Sequence, residues 1–82
     1  MAIRNNEYTE LSRAKTHEKR NVIISKDNYK KTLVSLAQQI VVEEGNKRTE
    51  IFLKGAITIQ KDKLVNLRDA INEALAKLED EE

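Results

Sequence analysis

Between Ile51 and Leu78 the apolar spacing changes from two residues to three and four. Ile51, Leu53, Ile57 and Ile59 alternate with Phe52, Lys54 and Thr58, and then Leu64, Leu67, Ile71, Ala74 and Leu78 recur at helical steps. A side chain repeating every second residue lines one face of a strand, and one repeating every third or fourth lines one stripe of a helix. The pattern predicts a half-buried strand running straight into an amphipathic helix. The stripe is narrow, as in a seam between two helices, so Leu64, Leu67, Ile71, Ala74 and Leu78 are expected to pack against a second copy of the chain.

Size points the same way. A chain of 82 residues forms one domain and buries only about 60 to 65 per cent of its unfolded surface, which leaves a monomer marginal and gives dimerisation a thermodynamic role. There is no cysteine and only one histidine, so neither a disulfide framework nor a thiolate zinc site can form, and a reducing, cytoplasmic setting is expected. The apolar runs Val22 to Ile24 and Ile40 to Val42 fall far short of the roughly 20 residues needed to span a bilayer. Met1 to Glu10 lacks the apolar stretch of a signal peptide, and no membrane partner is expected.

A formal charge of +1 conceals a gradient. Residues 1 to 31 carry eight Lys or Arg against four acids, whereas residues 69 to 82 carry one Lys against six acids. Such asymmetry suggests a polyanion-binding end and an acidic tail.

Three segments follow from this reading: a basic, flexible arm over residues 1 to 20, a nucleic-acid-binding domain over 21 to 78, and an acidic tail over 79 to 82. The arm has only Ile3, Tyr8 and Leu11 as large apolar groups. Asn21 to Ser25 reads as a short strand, with Lys26, Asp27 and Asn28 as the turn chemistry after it. Tyr29 to Glu44 is open to two readings. As a strand it sets Val34, Leu36, Ile40 and Val42 on one face; as a helix it forms a stripe of Leu33, Leu36, Ala37, Ile40 and Val41 closed by Gly45. The hairpin-like Glu44-Gly45-Asn46-Lys47, the β-branched Val41 and Val42, and the need of the next strand for a neighbour favour the strand. Gly55 is expected to bend the following run into two short strands, and the helix to start near Lys61 or Asp62. The fold class is then α+β: a four-stranded antiparallel meander followed by one C-terminal helix, dimeric through helix-helix contact.

Lys54, Gly55, Ala56, Ile57, Thr58, Ile59 and Gln60, followed by Lys61 to Asn72, resemble the Lys-Gly-apolar strand and closing helix of the single-stranded DNA-binding domain of transcriptional coactivator positive cofactor 4. Arg20 to Ser25 is similar to that family's opening strand and Tyr29 to Glu44 to its long second strand. The chain departs from the family at Leu64, where a Trp is common, and at Leu36 to Gln39, where aromatic residues are common. The resemblance implies a homodimer whose curved sheets hold single strands in basic channels with little sequence preference, in replication, recombination or transcription, as in a bacteriophage member.

Single-strand binders need cations along the phosphates and flat side chains under the bases. Phe52 and Lys54 point away from the face of Ile51, Leu53 and Ile57, so they are expected together on a binding face. Tyr29 with Lys26, Lys30 and Lys31 makes a basic-aromatic cluster, Lys19 and Arg20 enter the first strand, and Lys47 and Arg48 leave the hairpin. All are candidate nucleic-acid contacts. The acidic tail offers a contact for replication or transcription proteins.

An enzyme is not expected, nor is a cofactor. His17 lies in a polar arm with no cysteine or serine beside it, Glu43 and Glu44 would point to opposite faces of a strand, and two glycines cannot build a phosphate-cradling loop. Two other classes stay open. One is a protein-interaction module or inhibitor that uses its acidic helix end; the other, which takes Tyr29 to Glu44 as helix, is a ribbon-type repressor of duplex DNA.

Overall fold

The computed structural model describes residues 7 to 81. Five strands, β1 (Tyr8–His17), β2 (Arg20–Asp27), β3 (Leu33–Glu44), β4 (Lys47–Phe52) and β5 (Ile57–Gln60), precede a 3-10 turn (Lys61–Lys63) and the helix α1 (Leu64–Asp80). The α+β class and the meander with one closing helix are as expected. The stretch from Tyr29 to Glu44 is strand from Leu33 onward, which corrects the helical reading on which the ribbon-type repressor was based.

The sheet is antiparallel in the order β1-β2-β3-β4, with β5 also on β3. Strands β4 and β5 share one edge of β3: Phe52 lies opposite Gln39 and Ile57 opposite Leu36. Three steps along β3 thus correspond to five along the other chain, and Gly55 absorbs the excess at a φ of +94°. Only glycine takes that conformation without strain, which is why the run breaks there. The β3-β4 hairpin closes over Gly45 and Asn46, with Gly45 at φ +60° and Asn46 at negative φ, the sign pattern of a type II′ turn.

The first strand corrects the expected flexible arm. Tyr8–His17 pairs with β2 along its length, and the register slips between Glu10 and Ser12 and again between Lys15 and His17. Each slip adds a residue to an edge strand and resets which side chains face which way. The first six residues of that arm lie outside the described residues. The acidic tail is corrected in part as well, since Glu79 and Asp80 are the last residues of α1, and Glu82 lies outside the described residues.

Register divides the sheet into two faces. On one, Val22 and Ile24 of β2 meet Leu36, Ile40 and Val42 of β3 and Ile51, Ile57 and Ile59 beyond, the face expected from Ile51, Ile57 and Ile59. On the other lie Tyr8, Glu10, Arg13 and Lys15, then Asn21, Ile23 and Ser25, then Ser35, Ala37 and Gln39, then Arg48, Glu50 and Phe52. Among the described residues the buried apolar side chains are Ile23, Val34 and Ala37, with Gln39 the buried polar one.

Candidate nucleic-acid interface

In a flat sheet, β1 and β4 would lie about 14 Å apart, three strand spacings of roughly 4.8 Å. Yet Tyr8 and Arg13 of β1 line the same hollow as Glu50 and Phe52 of β4, above Ile23 and Gln39. A second hollow beside it is again bordered by Tyr8 and Phe52, now with Ser35 and Ala37 beneath and Lys54 and Gly55 at the rim. The sheet therefore curls toward this face and forms a trough with aromatic side chains on both walls. Curling of that degree fits the right-handed twist of strands, increased by the two slips of β1.

Three cations in or beside the trough are held by carboxylates. Arg13 donates to Glu10 through Nε and Nη2 at 2.7 and 2.9 Å, Lys19 faces Glu43 at 3.4 Å, and Arg48 lies 3.8 Å from Glu50. The Glu10 and Arg13 pair exists because of the first slip: three residues apart on a regular strand, they would face opposite ways. The Arg13 hydrogen bonds hold the Glu10 carboxyl below the usual carboxylate range, and the same contact raises Arg13. All three pairs are exposed, so each is worth at most about 1 kcal/mol and yields readily to another anion.

A second basic group forms at the end of the sheet. Lys26, Lys31 and Lys61 border one hollow with Asp27 and Asn28. Its shape is set by Asp27, whose Oδ1 accepts the backbone N–H of Tyr29 and of Lys30, each at 2.9 Å, and the resulting turn presents the lysines outward. The Lys30 and then the Tyr29 N–H hold the Asp27 carboxyl below its ordinary value. The backbone N–H of Lys61 donates to the Thr32 carbonyl at 2.8 Å and anchors the start of the helical segment to this loop.

The expected binding residues thus fall into three places. Phe52, Lys54 and Arg48 belong to the trough, with Lys19 drawn to it through Glu43. Lys26, Tyr29, Lys30 and Lys31 belong to the loop at the sheet's end, where Tyr29 stands 72 % exposed. Arg20 and Lys47 do not join either group: they lie on the apolar face, where Arg20 Nη1 reaches Gln38 Oε1 at 3.4 Å. Sequence reasoning missed Tyr8, Arg13, Lys15, Gln39 and Glu50 in the trough and Lys61 in the loop. The alternation of Tyr8 and Glu10 was a signal, and the slip after Glu10 hides its continuation.

The helix carries the stripe expected of it, and among the described residues most of that stripe is left uncovered. Leu64 and Leu67 are half-buried, Ile71, Ala74 and Leu78 are exposed, and so are Val65 and Leu75. No residue of α1 is buried.

No helix among the described residues is long and apolar enough to cross a membrane, and no group of three or more metal-ligating side chains forms among them. No family model, curated protein or solved structure matches this chain.

Proposed function

We propose that this protein is a homodimeric single-stranded DNA-binding protein of low overall sequence specificity, acting in the cytoplasm where strands are opened for replication, recombination or transcription. The observation that carries the reading is the trough. Tyr8 and Phe52 are brought from opposite edges of the sheet over one floor, with Arg13, Lys15, Arg48 and Lys54 along the same face. Bases stack on such rings for roughly 1 to 3 kcal/mol each, and the phosphates follow the cations.

Each carboxylate in the trough holds a cation in place until a phosphate replaces it. Binding by exchange of partners keeps the arginines ordered and lowers the charge of the empty trough. The lysines at the sheet's end, Lys26, Lys30, Lys31 and Lys61, extend the track for the backbone. The resemblance to the positive cofactor 4 domain belongs to the same reading, and it accounts for a single strand held on a curved sheet.

The second copy has its place in this reading because, among the described residues, no residue of α1 is buried and Ile51 and Ile57 on the apolar face of the sheet are exposed as well. An isolated helix of 17 residues is marginal in water, and most helices in proteins are stabilised by tertiary packing. Pairing through Leu67, Ile71, Leu75 and Leu78 supplies that packing and sets two troughs in one particle.

The test is anisotropy of a labelled 20-nucleotide single strand against duplex competitor across a salt titration. Salt-sensitive binding that duplex fails to displace is expected, and Phe52→Ala with Lys54→Glu weakens it at least tenfold while the protein stays folded. Absence of binding at low salt would remove this function.

A further inference from the structure

Gln39 is the one buried polar side chain among the described residues, at 3 % exposure, and it lies on the floor of the trough. Its Oε1 accepts from Asn21 Nδ2 at 3.4 Å and its Nε2 donates to Glu50 Oε1 at 3.5 Å. This orientation is fixed by chemistry, because the reversed amide would set its oxygen against the carboxylate. Both bonds are longer than the roughly 2.7 to 3.2 Å of well-formed N–H···O contacts, so neither saturates its groups. The other carboxylate oxygen of Glu50, Oε2, has Arg48 at 3.8 Å, beyond hydrogen-bond reach.

The side chains of Gln39 and Glu50 line one hollow of about 220 Å³ with Tyr8, Arg13, Ile23 and Phe52. That is below the roughly 300 Å³ at which pockets for drug-sized ligands begin, and suits one flat ring system better than a whole nucleotide. Phe52 is the cross-strand neighbour of Gln39 and lines the same hollow, so an aromatic side chain is carried beside the amide. Gln39 and Glu50, which line the hollow beside Glu10, Arg13 and Ser25, carry between them one donor group, Nε2, followed by two carboxylate acceptors, Oε1 and Oε2. A ligand edge that matches must offer an acceptor followed by two donors.

Among the four DNA bases that order occurs in guanine alone, as O6, N1–H and the N2 amine. Adenine offers one amine beside a ring acceptor, cytosine one amine followed by two acceptors, and thymine one N–H between two carbonyls. We propose that the Gln39 and Glu50 pair is a guanine-reading site, in which the floor of the trough imitates the pairing edge of cytosine and Phe52 gives the base a stacking face. Unstacked bases are read in this way on their Watson–Crick edges beside aromatic side chains. The inference rests on the single-strand reading of the trough and adds one position of base preference to an otherwise indifferent track.

The test compares labelled 15-nucleotide thymidine strands carrying one central dG, dA or dC, or none. The dG strand is expected to bind roughly tenfold tighter than the other three. Glu50→Gln, at a side chain 40 % exposed on the rim, brings dG level with them. A second measurement does not depend on DNA binding: guanosine monophosphate, and not cytidine monophosphate, should shift the side-chain amide resonances of Gln39. Equal affinity for all four strands overturns the guanine site and leaves the single-strand function standing. No binding of any strand, with guanosine monophosphate still moving the Gln39 amide, removes the function and keeps the site. Equal response of that amide to both nucleotides overturns the site.

Discussion

Ile23 and Ile71 each belong to a regular apolar pattern, yet Ile23 is 1 % exposed in the middle of the sheet and Ile71 is 52 % exposed on the helix. The sheet covers its own floor by curling, with Arg13 and Ala37 as the cross-strand neighbours of Ile23. The helix leaves the sheet after β5 and meets no strand in a packed interface. Periodicity thus records that a side chain is meant to be covered and is silent on what covers it. Where the cover lies in the chain, the contact is part of folding; where it lies in a second copy, the same contact becomes a function of concentration.

Substitution at the two isoleucines should break the comparison open. Ile23→Ala leaves a cavity under the trough and is expected to lose about 2 to 5 kcal/mol in denaturant unfolding, by an amount set by the sheet itself. Ile71→Glu is expected to lose less from the chain and more from the particle. Under the proposed dimer, sedimentation should report a monomer for the variant and a dimer for the parent, with roughly 1.5 to 3 kcal/mol lost per covered side chain. If Ile71→Glu leaves the sedimenting species unchanged, the helix stripe is covered by something other than a second copy.

The same contrast explains what could be read from the sequence. Strands β2, β4 and β5 and α1 were legible from their apolar patterns, and Gly45 and Gly55 mark the turn and the break; β3 was open to a helical reading because Gln38 interrupts the face of Val34, Leu36, Ile40 and Val42, and the hairpin at Gly45 with the β-branched Val41 and Val42 favoured the strand. Strand β1 was not legible, because nine of its ten residues are exposed, which leaves little apolar signal, and because its two slips change the facing of every later residue. The trough was therefore seen from one wall, through Phe52 and Lys54, while Tyr8 and Arg13 on the other wall were assigned to an arm. Gln39 carried no signal either, since a glutamine in a strand is ordinarily a solvent-facing residue. Only the curl of the sheet buries it.

Gly55 sharpens the boundary between the two regions, because it breaks the run on one edge of β3 just before the chain passes through β5 into the helix. A Cβ there would meet nothing within 4 Å, so any loss in Gly55→Ala comes from the φ of +94° alone. A cost of about 1 to 3 kcal/mol is expected from such a conformation in a residue with a side chain. Calorimetry checks it. A melting temperature equal to that of the parent would mean that the break relaxes without glycine and that β4 and β5 can be rebuilt around another turn.

The smallest effect expected is with pH, and it falls on the sheet. Glu10 and Asp27 are both held below the ordinary carboxylate range, Glu10 first by the Arg13 side chain and Asp27 first by the Lys30 backbone N–H. A group with a lowered folded pKa stabilises the protein above its unfolded pKa, about 4 for these side chains, and the contribution disappears as pH falls through the folded value. Unfolding midpoints should therefore be level from neutral pH down to about 5 and decline below about 4. Glu10→Gln should remove part of that decline at a loss of at most about 1 kcal/mol near neutral pH, since its pair with Arg13 is exposed. Because the Asp27 turn also presents Lys26 and Lys31, Asp27→Ala, which removes the acceptor of both N–H groups, should weaken the proposed DNA binding at neutral pH more than it lowers the midpoint. If instead affinity is untouched while the midpoint drops, the loop stabilises the sheet without shaping the phosphate track.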